Sequence, residues 1–511
     1  MLEGLHMLGV AFVGFLRWDI LLSVLWSTAL GIIIGMLPGL TATMGVALLT
    51  TLTFKMAANN AIITLVCMYI GAIYGGSRSA ILLNIPGTPA NAATAVDGYP
   101  LAKQGLAGRA IGISTTGSFL GSVIGMIILA LFTPWLGSKA LLFKSFEMFW
   151  FAIFGIIICG NLTAPKDPLK GWIAGFIGLL IAMIGMEGRW SYPRFSFGSV
   201  EIAGGIQLIP AMVGAFGFAE IIAVMRHPVM EHVGGKLDRV WPRLKDVTRY
   251  WVTIVRSGIV GTIIGIIPGV GEDTAAWVSY DLAKRGAKGK DKELFGKGSI
   301  EGLMAAETGN NACVPGAIIP VLTLAVPGSA PAAVLLGAML IHGVRPGPTI
   351  MEEFPTFIPE VVAMVLLATI AMFVLGMSLV RPLVKVLQVP RSKLMPIVFI
   401  LCMVGSFAIE QRFFDVGVMI VFGILGFVMR EMDYPMAPMV LGIVLGDILD
   451  KNLRRALVLS GGNPLRFFDT PVSIILIVLT VLVVVTRAKW FAAAMKSARG
   501  AVTGLFRKKP S

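Results

Sequence analysis

Four short runs of the chain combine proline, glycine and small oxygen-bearing side chains inside apolar sequence. Pro38-Gly39 is followed by Thr41 and Thr43, and Pro86-Gly87 by Thr88 and Asn91. Pro268-Gly269 is followed by Glu272, Asp273 and Thr274, and Pro327-Gly328 by Ser329. Proline removes a backbone donor and stops a helix, so each run ends one helical segment and begins another. The N-terminus of the second segment offers free N–H groups and partial positive charge, which suit a carboxylate. The C-terminus of the first, with unwound carbonyls, suits sodium. Gly39, Thr41, Thr43, Gly87, Thr88, Asn91, Gly269, Gly328 and Ser329 are the candidate substrate-binding residues. Asp273 and Thr274, with Glu307, Asn310 and Asn311 upstream of the fourth run, are the candidate ion-coupling residues, because oxygen ligands match a hard cation. No catalytic residue, cofactor or metal is expected beyond sodium, or a proton in its place, as coupling ion.

Each of these residues has a second reading. Gly31/Gly35, Gly261/Gly265, Gly121/Gly125, Gly171/Gly175 and Gly442/Gly446 are GxxxG pairs, and close helix packing explains them without a ligand. Thr41, Thr43 and Thr274 can bond back to helix carbonyls. Glu272 and Asp273 are expensive at membrane depth, so function or pairing is their default. Arg78 either neutralises an anionic substrate, snorkels, or pairs with Asp97.

The elements that position these residues follow from composition. Of 511 residues, 56% are hydrophobic and 14% charged, with a mean hydropathy of +0.85. Soluble globular chains carry roughly 45–50% apolar and about 25% charged residues. A soluble enzyme, a secreted disulfide scaffold, a coiled coil and a disordered chain are excluded. Ile20–Leu37 and Val472–Val485 do not alternate as barrel strands do, so an all-α polytopic membrane protein is expected. Cys67, Cys159, Cys313 and Cys402 lie in apolar stretches and read as small buried residues. No cleaved signal peptide is expected, since the N-terminus lacks a basic region and a cleavage site.

The net charge of +14 is concentrated in three stretches. Arg226–Arg256 and Asp281–Lys297 flank an apolar segment on both sides, and Arg487–Lys509 holds seven basic residues and no acidic one. These read as cytoplasmic loops and tail, not as a nucleic-acid surface. Residues 257–280 then form a re-entrant hairpin: each half is about 11 residues, roughly 17 Å of helix, about half a bilayer core. Gly31–Gly39 matches Gly261–Gly269, and Ile85–Thr88 matches Val326–Ser329. Five spanning segments lie between the hairpins, near 62–83, 109–133, 140–160, 169–187 and 202–225, so the hairpins enter from opposite faces. Six crossings follow, near 300–341, 356–380, 394–409, 413–430, 435–449 and 471–486, and return the C-terminus to the cytoplasm. Two inverted repeats are therefore expected, each with a re-entrant hairpin and a broken transmembrane helix. An N-terminal segment 1–19 precedes repeat 1 at 20–230, with hairpin 28–53 and broken helix 62–96. A cytoplasmic linker 231–256 leads to repeat 2 at 257–450, with hairpin 257–280 and broken helix 300–341. The last transmembrane helix and basic tail fill 451–511.

Other motifs fail. Gly296-Lys297 lacks the glycine a P-loop needs, with Asp291 in that place and Gly298 where Ser/Thr belongs. His227–His232 misses the HxxEH zinc pattern by one residue. Gly446-Asp447 lacks the flanking pattern of an aspartyl protease.

Gly31–Gly39, Gly261–Ala275, Glu307–Ala312, Ile85–Thr88 and Val326–Ser329 together resemble the large permease subunit of the tripartite tricarboxylate transporters, the TctA family, over roughly residues 20–450. The resemblance implies a multi-pass permease of the bacterial inner membrane. It implies cation-coupled uptake of di- or tricarboxylates such as citrate. It also implies a small four-helix membrane subunit and a periplasmic solute-binding protein. An elevator-like shift of the hairpin-bearing core is the expected mechanism, on a lipid-embedded scaffold that would also offer a homodimer interface. A channel-like permease without a binding protein would use the same broken helices. An intramembrane hydrolase would need a nucleophile–base pair that the chain does not display.

Overall fold

The computed structural model describes all residues except 1, 38, 165–166, 188–190, 227–237, 388–390 and 486–511. Pro38, parts of the expected linker and the basic tail lie outside the described residues. The main helices are α1 (Leu2–Gly14), α2 (Trp18–Met36), α3 (Ala42–Thr53), α4 (Ala58–Leu83), α5 (Ala92–Lys103), α6 (Ala107–Ala140), α7 (Ser145–Thr163), α8 (Pro168–Ala182) and α9 (Leu208–Met225). They continue as α10 (Trp251–Ile266), α11 (Gly271–Gly286), α12 (Ile300–Leu324), α13 (Ala330–Ile341), α14 (Phe357–Ser378), α15 (Arg391–Glu410), α16 (Phe413–Glu431), α17 (Met436–Leu459) and α18 (Pro471–Val485). One short antiparallel pairing, β1 (Gly185–Met186) with β2 (Pro193–Arg194), is the sheet among the described residues. Among the described residues, seven helices are long and apolar enough to cross a membrane, and the chain is a multi-pass helical membrane protein.

Two helices are central. In α4, Ala61–Ile81 is buried without interruption, and α12 is buried from Glu301 to Leu324. The outer helices instead expose apolar side chains such as Leu131, Phe176, Ile424 and Val478. An apolar surface of that kind belongs against lipid.

Glycines let the central helices be approached closely. A Cβ on Gly31 or Gly35 of α2 would strike the Met68 or Ala72 carbonyl of α4. In the same way, a Cβ on Gly261 or Gly265 of α10 would strike the Gly309 or Cys313 carbonyl of α12. Gly121 and Gly125 of α6 meet the Thr308 and Ala312 carbonyls of α12. The packing role of these GxxxG pairs is therefore direct.

The helices are interrupted at four places. Between α2 and α3 the chain passes through Gly39 at φ +97°, and between α10 and α11 through Gly269 at +71° and Gly271 at +78°. Asn84 closes α4 in the left-handed region at φ 59°, and Ala325 closes α12 at 55°. A proline follows each of those two caps by two residues and forbids the helix from resuming at once.

The helical arms reach further than the apolar runs. The arm expected from residue 28 begins at Trp18, and that expected over 257–280 extends from Trp251 to Gly286. Charged and aromatic residues at the ends keep helical geometry while leaving the apolar stretch, so hydropathy stops short of the helix.

Gly35→Ala should lower the thermal unfolding temperature of the purified chain by an amount worth about 1–3 kcal/mol, the usual cost of overpacking. Gly9→Ala, whose Cβ would meet nothing within 4 Å, should not lower it.

Candidate functional site

The four interruptions meet around one cavity of about 130 Å³. Thr41, Ala42 and Thr43 come from the first, and Thr88, Pro89 and Ala90 from the second. The third supplies Gly269 through Asp273, and the fourth Ala330 and Pro331. Ile73 of α4, Thr163 at the end of α7, Phe216 of α9 and Ala437 of α17 complete the wall. The volume lies below the roughly 300–1,000 Å³ of drug-sized sites, which suits a solute of a few carbons.

In every case it is the start of the second half-helix that faces the cavity. Thr41 caps α3 by accepting the Met44 N–H at 3.2 Å. Thr88 precedes a turn of 3-10 helix that runs into α5. Ser329 caps α13 by accepting the Ala332 N–H at 3.4 Å. The first turn of α11 carries Glu272 and Asp273. Each helix N-terminus is equivalent to about half a positive charge, so four of them make the cavity favourable to an anion. Among the described residues, no lysine, arginine or histidine lines it.

The interruptions also satisfy one another. Gly269 N–H donates to the Pro327 carbonyl at 3.2 Å, and Gly271 N–H to the Gly328 carbonyl at 3.2 Å. Gly87 N–H donates to the Gly76 carbonyl at 3.3 Å. A Cβ on Gly87 would overlap the Gly35 carbonyl, and one on Gly328 the Gly265 carbonyl. Gly87 and Gly328 are thus required by backbone approach, and neither lines the cavity. A Cβ on Gly39 would meet Glu220 Oε1 at 2.8 Å.

Of the sequence-derived candidates, Thr41, Thr43, Thr88, Gly269 and Asp273 line the cavity directly. Ser329 is one residue behind the wall, and Asn91 is held by Thr88, whose Oγ1 donates to Asn91 Oδ1 at 2.6 Å. Thr274 turns onto its own helix, donating to the Val270 carbonyl at 3.2 Å. Glu307, Asn310 and Asn311 are fully buried in α12, away from the cavity wall. Arg78 neither snorkels nor pairs with Asp97, and it is not among the residues that line the cavity. It is fully buried, donates through Nη2 to Tyr74 Oη at 2.6 Å and the Gly376 carbonyl at 2.7 Å, and lies over the Tyr74 ring. Asp97 instead accepts the backbone N–H groups of Gly296, Gly298 and Ser299 at 2.7–2.9 Å. The four cysteines are free and buried.

Sequence inspection missed Tyr69. Its hydroxyl donates to Glu272 and shares a hydrogen bond with Ser329 Oγ at 2.6 Å. It ties α4 to both the third and the fourth interruption. The available signal was a phenol four residues before Ile73 on the same face of an apolar helix, and nothing marked it apart from a buried aromatic.

The fold and the cavity define a multi-pass membrane protein with a small internal site framed by broken helices. The chain belongs to the tripartite tricarboxylate transporter TctA family, whose pattern matches residues 21–441. That is a family of transporters assembled with other subunits and a periplasmic binding protein. The chain is 35% identical over 445 residues to an uncharacterised 52.8 kDa protein of the TAR-I ttuC' 3' region in Agrobacterium vitis, covering 87% of this chain and 88% of that protein. It is 34% identical over 213 residues to an uncharacterised protein of the TAR-II ttuC' 3' region in the same organism, covering 42% of this chain and 87% of that protein.

Tyr69→Phe should destabilise the purified chain by about 1–3 kcal/mol, because Glu272 and Ser329 lose a shared partner in a buried site. The readout is thermal unfolding in detergent.

Proposed function

We propose that this chain is the permease subunit of a tripartite transporter and moves a di- or tricarboxylate, citrate among the candidates, through the cavity together with a cation. One observation carries this. Four helix N-termini and two carboxylates face a single cavity whose lining holds no basic side chain. The N-termini attract an anion, but Glu272 and Asp273 repel it. Two like charges about 5 Å apart cost roughly 3 kcal/mol at an effective dielectric of about 20. A cation removes that repulsion. Sodium as coupling ion satisfies the charge balance, and a proton would also do so.

Two inverted repeats account for the pairing of features across the halves. Gly35 and Gly265 receive Gly87 and Gly328 in the same way, and Asn84 and Ala325 close the central helices in the same conformation. Hairpins α2–α3 and α10–α11 then enter from opposite faces. They move with α4–α5 and α12–α13 as an elevator-like core against the remaining helices. The system sits in the bacterial inner membrane with the basic tail in the cytoplasm. A small four-helix subunit, a periplasmic solute-binding protein and a homodimeric arrangement complete it.

Uptake of labelled citrate and malate into vesicles holding all three subunits should require the binding protein and a sodium or proton gradient. Uptake with neither would make the chain a channel. Asp273→Asn should reduce gradient-driven uptake about 10-fold or more, since 1.4 kcal/mol of lost coupling is already tenfold.

A further inference from the structure

Glu307 lies outside the cavity and is the most enclosed carboxylate in the central helices, with no exposed surface. No lysine, arginine or histidine forms an ion pair with it among the described residues. The buried Arg78 directs its Nη2 to Tyr74 and the Gly376 carbonyl instead. An ionised carboxylate at such depth is strongly disfavoured unless it is paired.

What surrounds Glu307 is oxygen. Ser118 Oγ of α6 donates to its Oε2 at 2.7 Å, and Thr94 Oγ1 of α5 donates to its Oε1. Asn91 Nδ2 approaches the same Oε1 at 3.5 Å. Asn311, one helical turn on, donates from Nδ2 to Ser118 Oγ at 2.9 Å and to the Glu307 carbonyl at 3.2 Å. The Oδ1 atoms of Asn310 and Asn311 and the hydroxyl of Thr308 are buried and have no hydrogen-bond partner. Buried polar atoms without partners are rare in native proteins and call for an explanation. Here three of them follow the unpaired carboxylate within four residues on α12.

We propose that Glu307, with Thr94, Ser118 and Asn311, forms a sodium site separate from the substrate cavity. A single carboxylate with hydroxyl and amide oxygens is a hard-ligand set, and a monovalent cation cancels its charge. The proposal rests on the cation-coupled reading for its purpose. The site is wired to the cavity twice. Thr88, in the cavity wall, donates to Asn91, which reaches Glu307. Asn310 Nδ2 donates at 3.4 Å to the carbonyl of Ala90, also in the wall. Sodium at Glu307 therefore steadies the second interruption in the form that frames the cavity. By reciprocal linkage, substrate in the cavity raises sodium affinity by the same factor.

The test uses the purified full chain in detergent, with no substrate, and follows thermal unfolding as sodium chloride replaces choline chloride at constant ionic strength. A ligand that binds only the folded state raises the unfolding temperature in a saturable way. Sodium should do so for the wild type and for Gly9→Ala, whose added Cβ meets nothing within 4 Å. Glu307→Gln should abolish the response, and Ser118→Ala should weaken half-saturation about 10-fold, as expected for a loss near 1.4 kcal/mol. Should Glu307→Gln fail to fold, Ser118→Ala and Thr94→Val decide. An unchanged sodium response in those two variants overturns the proposal. So does a wild type stabilised equally by choline and sodium but sensitive to pH, which would assign a proton to Glu307. Labelled citrate and malate binding is measured in parallel. Absence of both with sodium stabilisation intact counts against the transport reading alone.

Discussion

Inside a bilayer, a backbone N–H or C=O without a partner costs several kcal/mol, and this constraint governs the architecture. Four interruptions of regular helix would be prohibitive if each faced lipid alone. They are tolerable because they face one another and the central helices. Gly269 and Gly271 give their N–H groups to the carbonyls of Pro327 and Gly328. Gly87 gives its own to Gly76. The first half-helix of each hairpin lies close enough to α4 or α12 that a single Cβ on Gly35 or Gly265 would collide with carbonyl oxygen. Irregular backbone, close glycine packing and the cavity are three consequences of one requirement.

That requirement also decides the chemistry of the cavity. Four helices begin there, so it carries a diffuse positive potential made of backbone rather than of lysine or arginine. Backbone donors cannot swing away or titrate. Glu272 and Asp273 add two carboxyl groups to the same wall, and Tyr69 fixes Glu272 by a phenol from α4. A site of this kind discriminates by charge balance.

Much of the site could be read from residue order because the devices that break helices are local. Pro86, Pro268 and Pro327 act on their immediate neighbours whatever the rest of the chain does. Thr41, Thr43, Thr88 and Asp273 lie within a few residues of such a break and were identified for that reason. Tyr69 was not, because its role depends on which helix packs beside it. Arg78 shows the opposite case: a charged residue in an apolar helix drew attention, yet its partners are Tyr74 and a distant carbonyl at Gly376. Glu307, Asn310 and Asn311 stand upstream of the fourth interruption in the chain, but α12 turns them toward α5, α6 and the second interruption.

By itself, the sequence determined that the chain is helical and membrane-embedded, where its helices break, and which family it resembles. Composition, proline placement and long glycine-bearing motifs act over short distances and survive without a fold. Only the tertiary structure decided that the four breaks enclose one cavity, that Tyr69 joins its wall and that Glu307 lies in a separate buried shell. Those facts concern distances between residues more than two hundred positions apart in the chain, and such distances are set by packing.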